Sequence, residues 1–425
     1  MSVVQQDTDR FTVIDCENAF SQGLTTESTQ YHLRDGEFDV QQPYYTTSSI
    51  AGQKRKRGHD SETLTADWHE TNARPFLSPI LPIVKEAAFG DRNYTKVSSP
   101  SSETNDDSDP GDPINFASLT ELAQASQRFF QQEEHDQVDL ADTETTTMEI
   151  LDVFHRIVHN PADTCCRVLT LDNNSYLVPP QSAFLMSDLT TGMEDLVSYV
   201  QQAGKRDLIV MDPPWPNKSV RRSSKYETQD IYDLFQIPVP ELLAPHGMVA
   251  VWVTNKPKFR RFVIEKLFKS WGLQEVGIWY WLKVTVQGEP VIPLDSPHRK
   301  PYEQLILGIR QTDSTTSTTA PAQPSIPLPP RQHAIVSVPC RRHSRKPPLD
   351  TVLKAYLPDN PKSLELFARC LTPGWTSWGN ECLKFQHMRF FRSTTSTSCL
   401  LKETENNSKN DVDGNNNDDI ADAGQ

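Results

Sequence analysis

The apolar residues of this chain gather into short blocks that become regular from about Arg167 onward. Leu208-Ile209-Val210-Met211 is an unbroken apolar run, the pattern of a strand buried on both faces. It leads directly into Asp212-Pro213-Pro214-Trp215, where two prolines without an N–H stop the ladder. The pattern predicts a stiff, extended loop at the carboxyl end of a strand, where open α/β sheets hold their ligands. Ahead of it, short strands are predicted at Arg167–Leu171, Tyr176–Val178 and Ala183–Met186. Behind it come a helix over Thr228–Phe235, a buried strand at Met248–Val253 and an amphipathic helix over Phe259–Trp271. Strands at Gly277–Val284, Gln304–Ile309 and Ile335–Val338, a helix around Leu349–Tyr356 and a strand at Ser363–Phe367 complete the set. Strands alternating with helices predict a doubly wound α/β sheet over residues 167–392.

The flanks read differently. Leu119, Leu122, Phe129 and Phe130 share one helical face, and Ile150, Val153, Phe154, Ile157 and Val158 share another. Residues 113–166 are therefore expected to form a small, mostly helical subdomain whose second helix stops at Asn160-Pro161. Residues 1–112 are rich in Thr, Ser, Gln and Asp without a sustained period, and are expected to be a disordered acidic region ending in the linker Ser99–Pro113. Residues 311–333 hold the Pro-rich run Thr312–Pro330 and read as a disordered insert; residues 393–425 read as a disordered tail.

Composition agrees with one folded unit and unfolded flanks: 36% of residues are hydrophobic, and 32 Pro stand against 17 Gly. The formal charge of −14 hides an asymmetry. From Lys205 to Arg392 there are 27 Lys and Arg against 16 Asp and Glu, so the section around the opening run is basic and the remainder strongly acidic. A basic folded core favours a polyanionic partner. The seven cysteines are scattered with no Cys-x-x-Cys pair, which argues against a disulfide framework and a zinc ribbon. Cys340-x-x-His343 lacks a second close ligand pair, so no metal is expected. No run approaches the roughly 20 apolar residues of a membrane helix, and no signal peptide opens the chain. A soluble, intracellular monomer without a membrane contact is expected. Lys54-Arg55-Lys56-Arg57 reads as an import signal, which makes the nucleus the expected compartment, with the cytoplasm second.

A carboxylate and a flat indole at a strand end can grip a planar group that carries an amine. The segments Asn174–Asp188, Asp212–Arg222, Lys300–Gly308, Val338–Leu349 and Leu364–His387 resemble, in order and spacing, the eukaryotic adenine N6-methyltransferase family with the Asp-Pro-Pro-Trp motif, in its methyltransferase-like protein 4 branch. The resemblance runs from Arg167 to Phe391 and departs at Pro216, where the branch commonly has an acidic residue. It implies a Rossmann-like sheet in permuted order, with the cofactor half after the catalytic motif, and S-adenosyl-L-methionine as cofactor. It implies further that Asp212 and the Pro213 carbonyl, stiffened by Pro214, accept the hydrogens of an adenine 6-amino group while Trp215 stacks on the base.

The cofactor residues carried over by that resemblance are Asp188, Leu189, Lys346, Arg369, Asn380 and Glu381. Lys346 and Arg369 are expected to meet the methionine carboxylate, and Asn380 and Glu381 the ribose hydroxyls or the adenine edge. For substrate, Asn217, Lys218, Ser219, Arg221 and Arg222 directly follow the motif and have the chemistry to hold a phosphate backbone. His343 sits in a second basic loop, Arg341–Lys346, and Tyr226 and Tyr302 are stacking candidates. The branch implies RNA as the substrate, in particular 2′-O-methyladenosine in a spliceosomal small nuclear RNA. DNA adenine is the alternative. A non-catalytic subunit that presents RNA is a reading of another class, against which the complete motif, Lys346 and Asn380 stand.

Overall fold

The computed structural model describes residues 3–44 (except 8), 67–89, 137–310 (except 155, 190, 191, 217–229 and 298) and 326–395 (except 343 and 344). The strands are β1 (Val3–Asp7), β2 (Phe11–Ile14), β3 (Thr29–Leu33), β4 (Val138–Asp139), β5 (Thr145–Met148), β6 (Ile157–His159), β7 (Arg167–Leu171), β8 (Asn174–Val178) and β9 (Ala183–Leu185). They continue with β10 (Arg206–Met211), β11 (Leu243–Val253), β12 (Leu273–Lys283), β13 (Tyr302–Arg310), β14 (Ala334–Ser337), β15 (Ser363–Leu366), β16 (Trp375–Trp378) and β17 (Phe391–Thr395). Three helices matter below: α1 (Cys16–Ser21), α2 (Met193–Ala203) and α3 (Pro257–Phe262).

Twelve strands form one sheet in the order β1-β2-β14-β12-β13-β11-β10-β15-β16-β9-β6-β4. The central run β11-β10-β15-β16-β9 is parallel throughout. Parallel strands are covered on both faces, which is why their sequences are apolar without alternation. Side chains still alternate between faces. Leu208 and Val210 join one core with Trp252, Leu282 and Ala334, while Ile209 and Met211 join the other with Val251, Phe259 and Leu366. α2 and α3 bury Leu196, Val200, Phe259 and Phe262 in the second core. This is an α/β, Rossmann-like sheet. β10 continues to β11 on one side and β15 to β16 on the other, so the adjacent carboxyl ends of β10 and β15 form the switch point at which such sheets bind ligands.

The N-terminal expectation needs correction. Within residues 1–112, β2 pairs in parallel with β14 and β1 pairs with β2, so this segment extends the main sheet. α1 is capped by Asp15, whose carboxylate accepts the Asn18 N–H at 3.1 Å. β3 pairs with β17, which draws residues 393–395 of the expected tail into structure as well. These elements are four to six residues long, too short for a visible period, and polar Thr12 is buried because its hydroxyl meets the His333 ring at 3.0 Å. The second apolar stripe of the expected helical subdomain is a 3-10 turn (Ile150–Val153) followed by strand β6, which pairs with β9. Its β-branched residues suit a pleated surface better than a helix. The basic cluster at 54–57, the linker at 99–113 and the stripe at 119–130 lie outside the described residues.

Phe11, 2% exposed on β2, tests the N-terminal strand directly. Phe11→Ala is expected to lower stability by about 3 kcal/mol in urea denaturation; an unchanged midpoint would remove this strand from the sheet.

Candidate active site

Asp212 begins where β10 ends, and the two prolines after it carry the chain away from the ladder. The Trp215 N–H donates to the Pro213 carbonyl at 2.8 Å, which folds the motif into a tight turn. The indole then re-enters the core. Its Nε1–H donates to the Trp252 carbonyl on β11 at 2.8 Å, its ring lies 4.8 Å from that of Phe259 on α3, and it is 9% exposed. The stacking expected of Trp215 is thereby corrected. With its ring packed and its N–H satisfied, Trp215 pins the motif to the neighbouring strand.

The Asp212 carboxylate is clamped. Lys346 Nζ lies 2.9 Å and Arg369 Nη1 3.0 Å from the same oxygen, Oδ2. Arg369 also reaches Glu381 at 3.3 Å, and Glu381 receives Lys384 at 3.1 Å. On the other side Lys346 reaches Glu303 at 3.1 Å, and Glu303 receives Lys283. A chain of alternating charge thus runs Lys283-Glu303-Lys346-Asp212-Arg369-Glu381-Lys384 across the ends of β12, β13, β10, β15 and β16. Burial alone disfavours the charges of Lys346, Arg369 and Glu303. It lowers the Lys346 pKa, yet the carboxylates of Asp212 and Glu303 outweigh it and hold that ammonium above the ordinary lysine value. Burial likewise opposes the Arg369 charge, but Asp212 and Glu381 more than restore it. For Glu303, burial raises the pKa while Lys346 and Lys283 bring it down to about 2.

This geometry bears on two expected assignments. Lys346 and Arg369 are brought to the site, where Asp212, Glu303 and Glu381 engage their charge. Tyr302 is 2% exposed, its hydroxyl meets His69 Nδ1 at 3.1 Å and its ring packs edge-on against Tyr280, so it is a packing residue and not a stacking surface.

The remaining cofactor candidates do converge. Asp188 and Leu189 follow β9, Asn380 and Glu381 follow β16, and Arg369 follows β15, three adjacent parallel strands. Gly379 lets these ends approach. Its φ is +150°, and a Cβ there would lie 3.2 Å from the Ala368 nitrogen and the Phe367 Cα. Phe367 itself sits at φ 61°, a left-handed conformation that costs a non-glycine residue about 1–3 kcal/mol and persists only where its surroundings impose it. Asn217, Lys218, Ser219, Arg221, Arg222, Tyr226 and His343 lie outside the described residues.

Sequence reasoning missed Glu365 and Glu303, and named Arg345 only as part of the basic loop Arg341–Lys346. Glu365 and Arg345 line the cavity beside Asp212, and Glu303 binds Lys346. The signal for Glu365 was one acid inside the apolar run Ser363–Phe367. Burial, reinforced by repulsion from Asp212 and only partly offset by Arg369 and Lys346, pushes its carboxyl up to about 7. A carboxyl whose folded pKa lies above its ordinary 4.5 contributes stability that is full below that value and lost as pH rises through about 7. Glu365→Gln is therefore expected to gain stability relative to the parent between pH 4.5 and about 7, read from urea unfolding across that range. A constant difference would mean that Glu365 titrates normally.

Comparison with known proteins places this site. Residues 206–381, which run from the start of β10 to Glu381, match the MT-A70 family. The N(6)-adenine-specific methyltransferase METTL4 of Homo sapiens is 46% identical over 265 residues, which are 62% of this chain and 55% of that one. The N6-methyladenosine RNA methyltransferase MTA1 of Pyricularia oryzae is 39% identical over 222 residues, covering 50% of this chain and 55% of that one. The DNA N6-methyl methyltransferase of Caenorhabditis elegans is 34% identical over 223 residues, covering 52% and 56%. The chain spans about half the length of these relatives. The domain that holds the clamped Asp212, residues 206–381, is an MT-A70 family domain, and its similarity to the METTL4 proteins supports that branch of the family.

Proposed function

We propose that this protein transfers a methyl group from S-adenosyl-L-methionine to the 6-amino nitrogen of adenine in nucleic acid. The observation that carries the proposal is the carboxylate of Asp212, fixed by two cations at the switch point of the sheet. The adenine 6-amino group is a poor nucleophile because its lone pair is delocalised into the ring. Acceptors on both amine hydrogens favour a pyramidal nitrogen with its lone pair free. Both clamp cations meet Oδ2, so Asp212 Oδ1 keeps its acceptor capacity, and the Pro213 carbonyl, which already accepts the Trp215 N–H, retains a second lone pair. Asp188, Leu189, Asn380 and Glu381 would hold the cofactor, whose sulfonium supplies an electrophilic methyl. Methylation would make the nitrogen acidic, and Asp212 Oδ1 would take its proton and pass it to solvent. Positioning and charge do the work.

RNA is the proposed substrate, with 2′-O-methyladenosine in a spliceosomal small nuclear RNA as the specific target and the nucleus as the compartment. The basic section between Lys205 and Arg392 supports a nucleic-acid partner. DNA is the second reading, because relatives of similar coverage carry RNA and DNA methyltransferase names. The discriminating experiment offers labelled cofactor with matched oligonucleotides: RNA containing adenosine, RNA containing 2′-O-methyladenosine, and single- and double-stranded DNA. Transfer is expected to be fastest to 2′-O-methyladenosine RNA, and Asp212→Ala is expected to slow it at least about 100-fold. Transfer to none of the four would overturn the activity, and a preference for DNA would replace the substrate.

A further inference from the structure

A stacked pair of aromatic rings stands in water close to the motif. Tyr232 and Phe235 lie on the 3-10 turn Ile231–Gln236, 61% and 40% exposed, with ring centroids 6.2 Å apart and planes inclined by 18°. Both rest edge-on against Phe262 of α3, at 5.5 and 5.8 Å, so the core holds them in place although much of each ring stays in solvent. Phe262 is one helical turn, about 5 Å along the axis, from Phe259, and Phe259 packs on Trp215. The helix runs on from α3 through Val263–Leu267 and Phe268–Ser270, and exposes Lys258, Arg261, Lys266 and Lys269. No ion pair reaches these cations among the described residues, and Glu265 is the one acid on that helix. The acids beside the rings are turned onto the backbone: Asp230 accepts the Tyr232 N–H and Asp233 the Asp230 N–H, each at 3.1 Å. Exposed rings rimmed by unpaired charge mark an interaction surface.

We propose that this surface receives a single-stranded stretch of the substrate nucleic acid beside the target adenine, with bases on Tyr232 and Phe235 and phosphates on Lys258 and Arg261. The inference rests on the methyltransferase reading and adds a second contact region to it. The chemistry of the surface selects the occupant. Every base has a flat π face, so open aromatic rings hold a strand without regard to its sequence. A duplex keeps its bases stacked on one another and offers the rings nothing. An apolar protein surface would cover the rings but strip water from the unpaired cations next to them, which is costly. A single strand supplies bases and phosphates together, one for each feature. Lys266 and Lys269 extend the positive charge along the helix, about 16 Å from Lys258 to Lys269. The contact from Phe262 through Phe259 to Trp215 sets this surface against the motif itself, so a strand whose adenine meets Asp212 passes over it.

The test uses two RNA single strands with the same central target adenosine, about 5 and about 20 nucleotides long, and a duplex of the longer one. Affinity is read by fluorescence anisotropy on the full chain across a salt series, for the parent and two double variants. The parent is expected to bind the longer strand at least about 10-fold more tightly than the shorter strand or the duplex. Tyr232→Ala with Phe235→Ala is expected to cut that length preference about 10-fold. Lys258→Gln with Arg261→Gln is expected to lower the slope of log affinity against log salt by about 1.4, two phosphates at roughly 0.7 each. A length preference and a salt slope that survive both pairs, equal weakening toward both lengths, or a duplex bound as tightly as the single strand would overturn the proposal and leave the surface to a protein partner. Lys258 and Arg261 are exposed, so the charge pair decides the matter even if the aromatic pair unfolds. Methyl transfer is scored separately: a parent that binds the longer strand in this way yet methylates no adenine would overturn the methyltransferase reading and leave the surface standing.

Discussion

The convergence of Lys346 and Arg369 on one oxygen of Asp212 is the constraint on which the site depends. An acid at the end of a buried strand, followed by two prolines, has few neighbours of its own and would pay for desolvation unless cations met it. The fold brings those cations from either side of the switch point: Arg369 just beyond β15, and Lys346 from the segment after β14. Each of these two cations is shared with a further acid, so the charges alternate along a line that crosses the sheet. Replacing such a line by apolar residues often costs a protein little stability; what it supplies here is direction. With Oδ2 held twice, the remaining oxygen of Asp212 has a defined orientation toward a ligand.

The indole of Trp215 completes that constraint from the opposite side. Its N–H on the Trp252 carbonyl and its ring on Phe259 tie the motif to β11 and α3. The four residues of the motif thus divide their work. The acid faces the cavity, the prolines keep the backbone from pairing onward, and the indole is the anchor. The N-terminal strands and α1 join the same construction. β2 extends the sheet beyond β14, and Phe20 reaches the cavity, so the functional unit is larger than the segment that matches the family.

Much of this was legible in the sequence, and the exceptions have physical causes. The unbroken apolar runs of β10, β11 and β13 announced buried strands, and the Asp-Pro-Pro-Trp stop placed the site at a strand end. β1, β2 and β3 were hidden because elements of four or five residues with buried Thr12 carry no period. Ile150–Val158 looked helical because five apolar residues at mixed spacing fit a helical stripe as well as a turn followed by a strand. Ion-pair partners are set by tertiary approach across more than a hundred positions, as for Asp212 and Arg369, and no local pattern announces them. The chemistry of Trp215 suggests a stacking surface, whereas its burial decides that it packs.

The claim that the clamp acts through Asp212 is tested most directly by a double-mutant cycle on single-turnover methyl transfer with Asp212→Asn, Arg369→Lys and the pair. Because Arg369 is held to work by orienting the Asp212 carboxylate, its substitution should slow the parent but add nothing once that carboxylate is gone, leaving the double variant as fast as Asp212→Asn alone. Losses that multiply, each substitution slowing the reaction by the same factor with or without the other, would contradict the account.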